Sequence, residues 1–413
     1  MKYMQNTHWP YHSQEELDAV ERVLSSGKTN YWTGNECKAF EQEYAEAVGT
    51  QYAVAVMNGT VALEAALHAL DIGPGDEVIT TCRTFIASAS CIMMLGATPV
   101  LADVNQESQN ITAETIEPLI TPKTKAIIAV HLAGWPCNMD AIMDLARRHN
   151  LKVIEDCAQA HGATYKGRQV GAWGDVAAFS FCQDKIITTG GEGGMVTTND
   201  PVIWEKIWTL KDHGKGYATV YHQEHPPGFR WLHDSFGTNW RMTEVQAAIG
   251  RAQLRKLPEW LRTRSRNASI LSHALAYIPA LRLSFPPEHI GHAHYKYYTF
   301  VRPEHLKPDW NRDRIMQEIA AQNVPCFSGS CPEIHREKAF EKAGVRPSRE
   351  FPVAKRLGET SLMFLVHPTL SEADMHKAAR IIQGVMQQAS QTSEKMRNSA
   401  FSGMVESVDS GVV

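Results

Sequence analysis

The sequence predicts an α/β fold, with a mostly parallel central sheet covered by helices in a large domain and a smaller α+β domain behind it. Three observations predict it. Short, continuously apolar runs alternate with helical stretches between residues 52 and 156, which suits parallel strands buried on both faces. From about Glu259 the pattern changes to helices with a few short strands. A chain of 413 residues has room for two to three domains at ~150 residues each.

The elements follow in order. Tyr52-Ala53-Val54-Ala55-Val56-Met57 reads as a buried strand, broken by Asn58-Gly59 and followed by a helix from Thr60 to Leu70. Glu77 to Thr80, Pro99 to Val104 and Ala126 to Val130 read as further strands, and Met139 to about Arg148 as a helix. Lys152-Val153-Ile154-Glu155-Asp156 is the next strand. Crossovers between such strands are right-handed, and ligands of such sheets lie beyond the C-terminal strand ends. A helix from about Thr243 to Leu257 reads as the hinge to the second domain, where Tyr297 to Val301 is a strand. The expected division is 1–250 for the large domain and 251–389 for the small one, with the N-terminal segment able to pack on the latter. Ser390 to Val413, polar and rich in small residues, reads as a flexible tail.

Composition narrows the function. With 43% hydrophobic and 21% charged residues the chain is an ordinary globular protein, large enough for a core without disulfides or metals. Its 41 basic and 45 acidic side chains leave a net charge of −4, against a nucleic-acid binder with a broadly basic surface. No apolar run approaches the ~20 residues of a membrane span. Met1 to Asn6 lacks the apolar core of a signal peptide. The eight cysteines form no CxxC pair, so no metal site is expected, and the cytoplasm is the expected compartment.

Several strand ends carry residues suited to chemistry. Asn58-Gly59-Thr60 stands at a helix start, where free amides and the helix dipole bind phosphate; a plain helix cap fits the same residues. Asp156 ends a buried strand, where a carboxylate needs a cationic partner or caps the next helix; Gln159 and His161 follow it. Phe179-Ser180-Phe181 leads to Lys185 and then to Thr188-Thr189-Gly190-Gly191-Glu192-Gly193-Gly194. A desolvated lysine there is nucleophilic toward an aldehyde, and the glycines allow backbone close to a flat cofactor. A surface lysine before a flexible turn fits as well. Phe85 suits ring stacking or the core, and Asn239 a helix cap.

Taken together, a phosphate turn, a strand-ending aspartate and a serine-plus-lysine stretch are what pyridoxal phosphate requires. Its phosphate needs amides and hydroxyls, its ring nitrogen a carboxylate, and its aldehyde an amine. On Asn58-Gly59-Thr60-Val61-Ala62-Leu63, Glu155-Asp156-Cys157-Ala158-Gln159-Ala160-His161-Gly162, Phe179-Ser180-Phe181 with Lys185, Glu192-Gly193-Gly194-Met195 and Asn239-Trp240-Arg241-Met242, the sequence resembles the DegT/DnrJ/EryC1/StrS sugar aminotransferases, pyridoxal-phosphate enzymes of fold type I. The resemblance runs from about Ser13 through Val366-His367-Pro368-Thr369.

The resemblance implies roles. Lys185 binds the cofactor aldehyde and later moves the proton, Asp156 pairs with the ring nitrogen, and Gln159 bonds near the ring hydroxyl. Gly59, Thr60 and Ser180 hold the phosphate, and Phe85 stacks on the ring. Asn239 matches a residue that reaches the phosphate of the neighbouring subunit, which implies a homodimer with shared sites. The implied reaction moves an amino group from an amino acid, L-glutamate, to a nucleotide-linked keto-sugar, with pyridoxamine phosphate between the half-reactions. Its product serves a surface polysaccharide or a glycosylated compound. Cys182-Gln183-Asp184 differs from the His-x-Thr of many members; Ser328 to His335 and the His-, Gly- and Pro-rich segment from His213 to Arg230 are expected to shape the pocket. An aminotransferase for a keto-cyclitol such as an inosose, and a non-catalytic binding or regulatory protein on the same fold, are the alternatives. A dehydratase of the family would carry histidine at Lys185. A dehydrogenase would need GxGxxG after the first strand, which Ala53 to Gly59 lacks.

Overall fold

The computed structural model describes residues 8–391. Its largest sheet contains β1 (Tyr52–Val56), β2 (Glu77–Thr81), β3 (Thr98–Ala102), β4 (Thr124–Val130), β5 (Lys152–Asp156), β8 (Val176–Ser180) and β9 (Gly194–Thr198), in the spatial order β1-β9-β8-β5-β4-β2-β3. A small sheet joins β6 (Thr164–Tyr165), β7 (Arg168–Gln169) and β11 (Ile290–Gly291). The third sheet is ordered β10 (Leu281–Leu283), β12 (Tyr297–Val301), β14 (Ser361–Phe364), β13 (Cys326–Phe327).

The large sheet is parallel from β3 through β2, β4 and β5 to β8, but β9 runs antiparallel to both β8 and β1. The reason lies in the connection. A parallel neighbour needs a crossover, usually through a helix. Between Ser180 and Gly194 the chain instead turns back through Gly190 (φ +85°) and Gly191 (φ +126°), backbone angles that favour glycine. The glycine run is therefore a turn between strands, and Glu192 is its member that reaches the main cavity.

Strand residues Val54, Ile79, Ile127, Ile154 and Val196 are almost completely buried. Each such side chain contributes ~1.5–3 kcal/mol of burial. Helices α1 (Gln14–Ser26) and α2 (Glu36–Val48), which sequence reasoning passed over, pack on a long helix, Glu244–Leu275. Lys256 Nζ lies 2.6 Å from the buried Glu16, and Arg251 pairs with Glu36 and Glu43. The helix expected from about Thr243 to Leu257 is longer than its sequence pattern implied. The helix runs on through Pro258, since Trp260, Arg264, Asn267, Leu271 and Leu275 beyond it are buried. Burial of that face outweighs the ~3 kcal/mol that an interior proline costs. The helix thus crosses residue 250, with its C-terminal part in the core of the third sheet. Ser390 and Gln391 are tied down, Gln391 donating to the carbonyls of His305 and Leu306; the rest of the expected tail lies outside the described residues. Among the described residues, no helix is long and apolar enough to cross a membrane.

Candidate active site

The C-terminal ends of β1, β2, β5 and β8 open on one cavity of about 1180 Å³. It is lined by Gly59, Thr60, Phe85, Asp156, Gln159, Ser180 and Lys185. Seven of the eight site residues read from the sequence thus meet at one place. Asn239 does not: it is exposed on the stretch after residue 237 and bridges to Asp212, outside this cavity.

Helix α3 (Gly59–Ala69) starts at the cavity. The Asn58 side chain accepts the Val61 amide at 2.9 Å, while the amides of Gly59 and Thr60 have no acceptor among the described residues. A Cβ at position 59 would lie 2.5 Å from Ser180 Cβ, so glycine is what lets the helix terminus close on Ser180. Two free amides, the Thr60 and Ser180 hydroxyls and a positive dipole end make an anion cradle. Beneath it, His161 bonds the Ser180 carbonyl at 2.8 Å and the Tyr44 hydroxyl at 2.8 Å. Burial holds its imidazole down to about 3, so it stays neutral and fixes Ser180 by hydrogen bonding alone.

Asp156 is 6% exposed. Its Oδ2 accepts from Ser88 Oγ at 2.8 Å and its Oδ1 from the Ala158 amide at 3.1 Å. Ser88 is joined in turn to Thr84 at 3.0 Å. Among the described residues no cation pairs with this carboxylate. A buried charge so placed calls for a cation from outside the chain. Its strand-mate Glu155 points to the other face, bonded to His131 at 3.0 Å and to the amides of Gly171, Trp173 and Gly174. Of the cluster His131, Glu155 and Cys157, the first two are therefore already engaged by hydrogen bonds.

Gln159 accepts the Ala133 amide at 2.8 Å through Oε1, which leaves its amide nitrogen for the cavity. Phe85 presents a ring that is 68% exposed, unusual for phenylalanine unless something covers it. Lys185 is half-buried. Its backbone is pinned at both ends, the carbonyl accepting from Trp9 Nε1 at 2.9 Å and the amide donating to the Cys182 carbonyl at 3.0 Å. Its Nζ lies 5.1 Å from the centre of the Tyr295 ring, and among the described residues no carboxylate is within ion-pair distance.

Sequence reading missed Ser88, Trp9, Tyr295 and Lys296. Ser88 had a signal: it lies three residues after Phe85, one residue into helix α4 (Ala87–Met94), and so points back to the same strand ends. Trp9, Tyr295 and Lys296 had none, being distant in the chain. Of the segments expected to shape the pocket, Cys182, Asp184, Gly329, Ser330 and Cys331 do line it. Residues 213–230 do not reach this chain's cavity. The adjoining stretch is held at the outer edge of the sheet, Arg241 bridging to Val56 of edge strand β1 and Trp240 accepting the Met57 amide.

The fold and its cavity define the chain as an aminotransferase. It belongs to the DegT/DnrJ/EryC1/StrS aminotransferase family, whose model matches residues 10–383. An aminotransferase from Psychrobacter cryohalolentis is 57% identical, covering 92% of this chain and 98% of that one with a TM-score of 0.91. GDP-perosamine synthase of Caulobacter vibrioides is 39% identical over 375 residues, 90% of this chain and 96% of that protein. DesV of S. venezuelae, solved in complex with a ketimine intermediate, is 33% identical with a TM-score of 0.80, covering 92% of this chain and 95% of that one. Pyridoxal phosphate is the cofactor the family implies.

Proposed function

We propose that this chain moves an amino group from L-glutamate to a nucleotide-linked keto-sugar, using pyridoxal phosphate held in the main cavity. The observation that carries the cofactor assignment is Asp156, a buried carboxylate with no protein cation, beside free helix amides and an unpaired lysine. These three unmet demands match a protonated ring nitrogen, a phosphate and an aldehyde. A cavity of about 1180 Å³ exceeds the usual ~300–1,000 Å³ of small-ligand pockets, which suits a cofactor together with a nucleotide-sugar. The relative that makes GDP-perosamine supports the same substrate class.

When bound, the cofactor supplies an aldehyde that captures the donor amine and a protonated ring that withdraws electrons from the carbon losing its proton. The chain's own residues do the rest. Gly59, Thr60 and Ser180 would hold the phosphate, Phe85 would pack on the ring, and Gln159 would bond to it through its free amide nitrogen. Asp156, held by Ser88, keeps the ring nitrogen protonated. Lys185 Nζ would hold the cofactor's aldehyde end at rest and move the proton to and from the carbon that loses or gains the amino group. The eight cysteines are unpaired, which suits a reducing cytoplasm.

The test is the visible spectrum of purified protein loaded with pyridoxal phosphate, before and after L-glutamate. A yellow band that bleaches on glutamate and returns with 2-oxoglutarate is expected. A protein that stays colourless with added cofactor would make the site a relic.

We further propose that the working unit is a homodimer with shared sites. Asn239 lies outside its own cavity, and the nearby Phe229, Trp231 and Phe236 are exposed, an apolar patch suited to a second copy. Mixing inactive Asn239→Ala and Lys185→Ala chains is expected to restore up to about a quarter of wild-type activity per site, as subunits exchange statistically. No recovery at any mixing ratio would refute the sharing.

A further inference from the structure

A second amine faces the cavity. Lys296 immediately precedes β12, and its side chain is 16% exposed. Its Nζ lies 3.6 Å from Asp184 Oδ2, the same oxygen that accepts from the Tyr295 hydroxyl. It also sits 4.6 Å from the centre of the Tyr295 ring, which Lys185 Nζ approaches to 5.1 Å. One aromatic ring thus carries both amines. Among the described residues that line the cavity there is no arginine, and Lys185 and Lys296 are its lysines. His367, another lining residue, is kept neutral by burial, which draws it down to about 3. Burial also draws Lys296 down, to about 8 against the pull of Asp184, and leaves it largely protonated at neutral pH.

Lys296 is not saturated by its surroundings. An ammonium has three donors. A contact of 3.6 Å to Asp184 is longer than the ~2.7–2.9 Å of a charge-assisted hydrogen bond. Asp184 itself is divided among Tyr295, Lys296 and the charge of Lys185, which together hold its carboxyl below the usual range although burial pushes it up. A cation with donors to spare, beside the reactive lysine, is placed for an anion attached close to the reacting carbon.

Both substrates carry anions, at different distances from the chemistry. An amino acid carries its carboxylate on the carbon that loses the proton. A nucleotide-sugar carries its diphosphate on the anomeric carbon, not on the carbon that takes the amine. Resting on the transaminase reading above, we infer that Lys296 Nζ is the subsite for the α-carboxylate of the amino-acid donor and of the oxo acid it becomes. It would orient the donor's Cα–H toward Lys185 and compensate the carboxylate's charge where this chain's described lining offers no arginine.

The test is calorimetric binding of glutarate, an unreactive dicarboxylate, and of GDP to pyridoxal-phosphate-loaded wild type, Lys296→Met, Lys296→Gln and Lys296→Arg. Loss of one charged hydrogen bond is expected to weaken glutarate by about tenfold or more in the Met and Gln variants. Lys296→Arg should stay close to wild type, and GDP should bind all four alike. Equal melting temperatures and equal cofactor bands show that the variants fold and load. Loaded wild type and neutral variants that bind glutarate alike overturn the assignment, as does a loss confined to GDP, which would make Lys296 a phosphate residue. A wild type that takes up no cofactor overturns the transaminase reading, and this one with it.

Discussion

A Lys185→Ala chain is expected to fold, pair and retain its melting temperature, yet to transaminate at least about 10⁴-fold more slowly, the upper end of what one acid–base group supplies. In the proposed mechanism the same side chain captures the aldehyde and moves the proton, so no second group takes over either task. Lys296 shares the Tyr295 ring, but its Nζ is engaged 3.6 Å from Asp184. Stability should change little. Among the described residues Lys185 has no carboxylate within ion-pair distance to leave orphaned, and its stacking on Tyr295 is worth ~0.5–1 kcal/mol. Its backbone stays held by Trp9 and the Cys182 carbonyl. The check is single-turnover conversion with L-glutamate beside a thermal melt. Turnover within tenfold of wild type would remove Lys185 from the mechanism.

Asp156→Asn is the second large effect, with an expected loss of about 10²–10³-fold in rate, the usual toll for removing one preorganised electrostatic partner. The variant keeps the shape of the side chain and an oxygen for the Ser88 hydroxyl, which bonds Asp156 at 2.8 Å. It loses the negative charge that holds a proton on a ring nitrogen. Cofactor uptake should survive, because the phosphate cradle is built by other elements. Rate and uptake measured together separate the roles: an undiminished rate would reduce Asp156 to a cap for the Ala158 amide and an anchor for Ser88.

The legible part of the site consists of residues that end a strand or start a helix. Asp156, Ser180 and Gly59 were found because an apolar run stops beside them, and parallel sheets display ligand groups there. Lys185 alone fitted a surface lysine as well; it was picked out by its order after the helix-start turn and the strand-ending Asp156, and by the family resemblance. Ser88 was within reach of the same logic, one residue into the helix that follows Phe85. Lys296 was not, since nothing near Tyr297 distinguishes it from any lysine at a strand start. The segment from His213 to Arg230 was expected to shape the pocket from its composition, but none of its residues lines this chain's cavity.

Local patterns thus determined the α/β class, most strands of the large sheet, and the candidate positions Gly59, Thr60, Asp156 and Lys185 that meet at one cavity, because burial periodicity and strand ends are written in neighbouring residues. Tertiary structure alone decided three things. Strand β9 runs antiparallel, since a glycine turn replaced a crossover helix. The helix from Glu244 continues through Pro258, since the face beyond it is buried. Tyr295 and Lys296 reach Asp184, with 111 residues separating Tyr295 from that carboxylate, since closing the third sheet onto the first brings their strand to the cavity. No periodicity records that distance; only the packing of one sheet against the other sets it.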